Sequence, residues 1–497
     1  MWYLPWLHVV QGVDRLLPRD FVPLVLLLAM VPQVRAEEAP EDLAARIARL
    51  ERRLAELEGR APPEPAPQAA PPPAERLSAV PDSPWFTPGA DLRLATSWDY
   101  GLQGQTAKRD FRVHVGGRFD WDVGWVNAPA DAASFLPPGT GSLNDGSAFR
   151  RARVRVDGRM YQNIDWVIEF DFSEGNARLF DLFVDVTRLP GLGSVRMGYF
   201  REPISLESLS SANFLTFLER GSIRDALNPI RSPGIMAFNH AWDQQITWAV
   251  GGFFANAIEA NALESLDGDY AATGRLTWNP IYQDNGETVV HLGGSYSFRN
   301  LARANIRDGF LYAATPELRF GLPPTVSTGQ LFGDHAQLFE GECLLVLGPF
   351  SVQAEFLGSL TANTRRTADA AGTDAFFYGW FVQASYFLTG EHRPYRRDVA
   401  LMDRVIPKQN FLTTGGDCPA IVGWGAWELA VRYSSLHLDS LPRVGGTMNN
   451  VTLGLNWHWN PNCKVQWNYV LSMLDAAHRG GESGLLHLFA MRVHIDF

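Results

Sequence analysis

Long hydrophobic runs are scarce in this sequence. The only strongly apolar stretch near the N-terminus is Phe21 to Val31, and no later stretch approaches the ~20 uncharged apolar residues that a membrane-spanning helix needs. Any passage of the remaining chain through a bilayer would therefore use strands, since a closed barrel is the other structure that satisfies every backbone polar group in lipid. Charge is sparse too: charged residues make up 20% of the chain, with a net charge of -11. That sign argues against nucleic acid as a partner, which needs cations to neutralise phosphates. Cys343, Cys418 and Cys463 fit no metal spacing. In an oxidising compartment they permit one bridge, Cys418 to Cys463, or three unpaired structural thiols, and both readings stay open. No nucleophile elbow, H-E-x-x-H pair or Walker lysine loop is present. The histidines are scattered, and His487 and His494 read as girdle or lumen residues rather than general bases. No catalytic residue, cofactor or metal is expected, although a dyad assembled from distant strands would leave no trace in spacing.

What is abundant is aromatic and small: 45 Gly, 30 Phe, 16 Trp and 13 Tyr. The apolar run at Phe21 follows Arg15 and Arg19 and precedes Val34-Arg35-Ala36, the order of a secretory signal cleaved before Glu37. An uncleaved anchor is the alternative, for which the run is short. Leu43, Ile47, Leu50, Leu54 and Leu57 then recur at the spacing of a coiled-coil seam. A single amphipathic helix on the barrel or on a partner is the other reading. The Pro/Ala-rich text from Ala61 to Pro84 forms a semi-rigid spacer, which at roughly 3.1 Å per residue reaches on the order of 70 Å. The expected organisation is a signal peptide over 1–36, a coiled-coil helix over 37–60, a linker over 61–84 and a β-barrel over 85–497.

From Trp85 onward the period is two. In Phe149 to Met160, Arg151, Arg153, Arg155, Asp157 and Arg159 share one face, and Ala152, Val154, Val156, Gly158 and Met160 the other. Ile164, Trp166, Ile168, Phe170 and Phe172 alternate against Asp165, Glu169 and Asp171. Phe180, Leu182, Val184 and Val186 oppose Asp181, Asp185 and Thr187. A soluble antiparallel sheet alternates as well. A meander this long without helices would need a very large sandwich, however, whereas a barrel turns its apolar face to lipid and its charges to a watery lumen. Trp278-Asn279-Pro280 and Trp459-Asn460-Pro461 pair a girdle-like indole with a tight-turn dipeptide.

The C-terminus carries the sharpest signal. Leu485, His487, Phe489, Met491, Val493, Ile495 and Phe497 share a face opposite Arg492, His494 and Asp496. A terminal Phe in register with the apolar face resembles the signal by which barrel-assembly machinery recognises outer-membrane proteins. At about 24 residues per strand and loop, the region from Arg93 to Phe497 holds roughly 16 strands, an all-β transmembrane antiparallel barrel wide enough for an aqueous channel.

The stretch from Phe149 to Asn239 is similar to the phosphate-selective porin O and P family. The matching residues are FRRARVRVDGRM, IDWVIEFDFSEG, FDLFVDV, RMGYFREPISLESLSS, FLERG and NPIRSPGI, in that order. The resemblance resumes at FLTGEHRPY, GAWELAVRYSSLHL, NNVTLGLNWHWNPNCKVQWNYV and MRVHIDF, while 255–375 matches only as generic strands and loops. It implies a homotrimeric porin of the bacterial outer membrane, surrounded by lipid, with inward loops and basic lumen residues guiding small anions such as phosphate. Arg201 stands at the basic position of the family's GQFKxPFSLE-like motif, and Arg151, Arg153, Arg155 and Arg159 occupy the basic strand before it. Arg220, Arg224 and Arg231 complete the anion-guiding candidates. Guanidinium forks suit phosphate oxygens. Carboxylates on the same faces, such as Asp165, Glu169, Asp181, Glu207 and Glu219, make a transverse field an equal possibility. A general or sugar-preferring porin and a barrel serving mainly as a tether remain the alternatives.

Overall fold

In the computed structural model the described residues are 93–497 except 130, 138–139, 141, 174, 255–269, 302–308, 368–369, 416–417, 422, 441–442 and 477–481. The signal, coiled-coil and linker segments expected over 1–84 lie outside them. The alternating text becomes sixteen long antiparallel strands. They are β1 (Arg112–Asn127), β2 (Gly146–Met160), β3 (Ile164–Asp171), β4 (Arg178–Leu189), β5 (Gly193–Arg201), β6 (Arg231–Ala241), β7 (Ile246–Phe254) and β8 (Tyr270–Gln283). There follow β9 (Thr288–Asn300), β10 (His335–Leu347), β11 (Phe350–Thr364), β12 (Thr373–Phe387), β13 (Ala426–Ser440), β14 (Arg443–Asn460), β15 (Cys463–Asp475) and β16 (Ser483–Asp496). Each pairs with the next, and β16 returns to β1 from His487↔Asn127 to Asp496↔Arg118, which closes the ring and removes its edges. Below that seam the first residues of β1 would be left unpaired. A small hairpin, Ala95–Trp98 and Leu102–Gln105, covers them from Leu102↔Val115 to Gln105↔Arg112.

The period of two sorts the side chains as the sequence predicts. Phe119, Trp125, Val154, Leu276, Phe339, Leu453 and Ile495 are exposed on the outside, while Asp120, Arg153, Glu169, Arg275 and Arg492 are buried within. An apolar band of this extent is stable only against acyl chains. At the end that bears the C-terminus, Trp427 stacks on Trp457 with ring centres 4.9 Å apart, and Phe411 meets Trp457 edge-on at 4.7 Å. The Trp427 and Trp457 indoles both donate to the Trp424 carbonyl, at 3.1 and 2.8 Å, so an apolar body and a satisfied polar tip sit together as an interface requires.

Two local expectations are corrected. Trp278-Asn279-Pro280 makes no turn: β8 runs on to Gln283, and the dipeptide occupies an irregularity between Trp278 and Ile281 where Pro needs no ladder partner. Trp459-Asn460-Pro461 does end β14. Phe180 leaves the outward row, because a bulge between Glu169 and Phe170 shifts the register of β4 and turns its ring inward. Cys463 and Cys343 are free thiols, and the side chain of Cys418 lies outside the described residues.

The lumen also differs from a uniformly watery one. Leu338, Phe377, Leu436, Met448, Leu486 and Leu488 line the inner face of β10 to β16. The connection 301–334 lays Phe310, Leu318, Phe320, Val326 and Leu331 against them as a dry core. Inner-wall glycines make room for these rings: a Cβ on Gly124 would fall 2.2 Å from Phe320, and one on Gly484 2.1 Å from Phe135. The β10 to β16 side of the lumen is thus packed by described loop residues, and the chamber described below lies against the β1 to β8 side.

Candidate functional site: the lining of the barrel

Two connections enter the barrel and frame the space that remains. The first, 202–230, carries two short helices, α1 (Leu206–Leu209) and α2 (Ser222–Leu227). Ser205 caps α1, its Oγ accepting from the Ser208 amide at 3.0 Å while donating to Glu355 Oε2 at 2.6 Å. The other Glu355 oxygen accepts from the Glu207 amide at 2.7 Å. Farther along, Asn456 Nδ2 donates to the Thr216 carbonyl at 2.7 Å, and Lys464 Nζ donates to that of Leu215 at 3.2 Å. Glu219 is the main anchor. It receives Arg150 Nε at 3.0 Å, Arg151 Nη2 at 3.2 Å and Arg492 Nη2 at 2.7 Å. Burial alone would push this carboxyl up, but Arg150, Arg151 and Arg492 hold it well below the usual carboxylate range.

The second connection, 388–425, enters from the opposite end. The Tyr395 hydroxyl meets His291 Nδ1 at 2.8 Å, Arg275 donates to the Ala400 carbonyl at 3.0 Å, and Arg404 Nη1 donates to Asp496 Oδ1 at 2.8 Å. The two connections touch where the Met402 amide donates to Ser210 Oγ at 3.2 Å and Arg393 to the Phe214 carbonyl at 3.2 Å.

Between them and the inner wall lies a chamber of about 420 Å³ whose lining holds seven arginines against four carboxylates. Of the eight arginines singled out in the sequence, Arg155, Arg201 and Arg231 face it. Arg231 is fixed bidentately on Asp181 at 2.9 and 3.0 Å, and Arg155 lies 2.9 Å from Asp157. Arg151 and Arg153 are buried behind the lining, the former 2.7 Å from Asp120 and the latter 2.6 Å from Asp171. Arg153 and Arg231 sandwich the inward-turned Phe180 ring, 3.5 and 4.0 Å from its centre. Arg159 sits apart near the β2–β3 turn on Asp165. Arg220 spends its donors on the Glu207 and Ser210 carbonyls and Arg224 pairs with Asp225 3.1 Å away, so both brace the first connection.

Arg201 is different. Its guanidinium donates to the Ser208 carbonyl, and among the described residues no carboxylate lies within 4 Å of it.

The family model for phosphate-selective porins O and P matches residues 113–492. This chain belongs to that family. An uncharacterised protein of Caulobacter vibrioides is 28% identical over 482 residues, covering 94% of this chain and 90% of that protein. Porin O of Pseudomonas aeruginosa is 25% identical over 422 residues, covering 78% of this chain and 89% of that one. Among solved structures, an anion-selective porin from Comamonas acidovorans aligns with a TM-score of 0.46 at 12% identity, over 78% of this chain and 100% of that chain. The molecule is a porin channel of the bacterial outer membrane.

Four lining arginines of this porin were not singled out in the sequence: Arg118, Arg196, Arg275 and Arg396. Arg118 and Arg196 sit on inner faces that strand alternation defines, so parity could have found them. Arg275 falls in the generically matching middle, and Arg396 belongs to a connection whose entry into the lumen nothing in the local sequence announces. Each is charge-matched, Arg118 by Glu169 at 3.4 Å, Arg196 by Asp185 at 2.8 Å, Arg275 by Glu342 at 2.6 Å and Arg396 by Asp398 at 2.6 Å.

Proposed function

We propose that this porin conducts small anions in preference to cations, with Arg201 as the residue an anion meets in the chamber. The observation that carries the reading is the contrast within the lining: the other six arginines there are held by carboxylates, and Arg201 is held by a neutral carbonyl. A guanidinium with unspent donors in a narrow, partly apolar space attracts anions and holds phosphate oxygens with two bonds at once. The paired arginines act as a fixed background whose local fields largely cancel. A homotrimer with an N-terminal signal, coiled coil and spacer over 1–84 belongs to the same proposal, supported by family membership and the heptad spacing alone. Planar-bilayer reversal potentials in a potassium chloride gradient, repeated with added phosphate, test it. Chloride preference with block by phosphate is the expected result; cation preference without block would sink it.

A further inference from the structure

Resting on that anion-selective reading, we propose that the solute fitting this chamber best is an organic anion. It would carry a phosphate or carboxylate head on an apolar body about the size of an aromatic ring. Bare inorganic phosphate fits less well.

The chamber lining mixes two kinds of surface. Arg201 offers unspent donors, and Arg155 keeps 40% of its side chain open to the space. Phe238 projects inward from β6, in register with Ala249 of β7 and Ser194 of β5, with the Arg196 guanidinium 5.4 Å from its ring centre. Leu209 and Phe214 of the first connection, the former next to the Ser208 carbonyl that holds Arg201, and Leu401 of the second add to the apolar surface. All four of these apolar side chains are only partly buried. They differ in this from Leu338, Phe377, Leu486 and their neighbours in the other half of the lumen, which the loops seal off.

An apolar side chain left facing a water-filled passage gives nothing to a hydrated inorganic ion. It does stabilise a solute that brings apolar surface of its own, in proportion to the area withdrawn from water. The cavity is about 420 Å³, within the roughly 300–1,000 Å³ typical of sites that enclose small organic ligands. The two entering connections supply three of the four apolar groups, so the barrel wall and its insertions together create the apolar surface.

The test uses the purified full chain in planar bilayers, with chloride current titrated by inorganic phosphate, methyl phosphate, butyl phosphate, phenyl phosphate and neutral benzyl alcohol. Half-block by phenyl phosphate is expected at a concentration at least about tenfold below that for inorganic phosphate, with the alkyl esters graded between them. Phe238→Ser and Leu401→Ser, each confirmed as a folded barrel by its heat-modifiable migration, should shrink that gap to about twofold. A wild-type series in which phenyl phosphate blocks no better than inorganic phosphate overturns the proposal while leaving anion selectivity standing. So does an undiminished gap in the folded variants, or equal block by benzyl alcohol. Absence of anion preference in the reversal potential removes the underlying reading instead.

Discussion

Phe497 and Gly117 exchange both backbone hydrogen bonds, the Phe497 amide donating at 3.0 Å and the Gly117 amide returning the bond at 2.6 Å. The last residue of the chain is therefore still part of the seam. A Cβ on Gly117 would lie 2.9 Å from the Phe497 ring, so glycine there is what lets the ring lie flat on β1. Deletion of Phe497 removes two bonds and that contact, and is expected to lower the stability of the barrel by about 2 kcal/mol, on the basis of ~1 kcal/mol for each bond. The guanidinium unfolding midpoint, followed by the heat-modifiable band, checks it; an unchanged midpoint without Phe497 would contradict the role given to the seam.

Arg201→Gln is expected to fold normally, since no buried carboxylate is left without a partner. Chloride preference should fall and half-block by phosphate should move to about tenfold higher concentration, the loss of one charge-assisted bidentate contact. Arg231→Gln makes the contrast: it strands Asp181 in the lumen wall, and should weaken the barrel itself by about 3–5 kcal/mol. Guanidinium denaturation midpoints separate the two variants.

Glu219→Gln puts a neutral amide where three guanidiniums share a carboxylate and should loosen the first connection, raising single-channel conductance and flicker at neutral pH. In the wild type the carboxyl sits well below its usual range because Arg150, Arg151 and Arg492 outweigh its burial. A group depressed in the folded state contributes stability above its unfolded value, and that stability is lost only as pH falls through the folded value. Wild-type channels should thus stay quiet when acidified through the ordinary glutamate range of about 4.3 and grow noisy only below it. Single-channel recordings at stepped pH test this, and flicker setting in at the ordinary range would show the anchor to be weaker than described.

Replacing 392–406 by a short Gly/Ser turn should raise conductance several-fold, because the lower frame of the chamber leaves with Ala400, Leu401 and Met402. The connection is longer than any turn that merely reverses two strands. Equal conductance in the shortened channel would mean that this segment does not limit flow.

Gly484→Val is expected to lower the thermal midpoint, since its side chain would invade the Phe135 ring, an overpacking cost of about 1–3 kcal/mol. Gly252→Ala, with nothing within 4 Å of the added carbon, should be silent. Loss of ellipticity on heating distinguishes them.

Much of the architecture could be read from the chain because a two-residue period records which side of a strand each residue faces. Leu453, Ile495 and Arg492 went where parity sent them. Phe180 and Arg150 did not, because each sits beside a bulge and one extra residue reverses the side. The candidate site was legible only in part for a related reason. Arg155, Arg201 and Arg231 share the chamber, but which arginine keeps its charge unspent depends on loop atoms such as the Ser208 carbonyl, whose approach no local pattern encodes. The entry of 388–425 was hidden because the contacts that hold it to the barrel wall, from His291 to Asp496, are distant in sequence.

The core packed under 301–334 also changes what the rim can do. With Phe310, Leu318, Phe320, Val326 and Leu331 set against the wall, that stretch is fastened like a plug and cannot swing as a free flap over the mouth. Any traffic of solutes is thereby steered to the opposite flank of the pore.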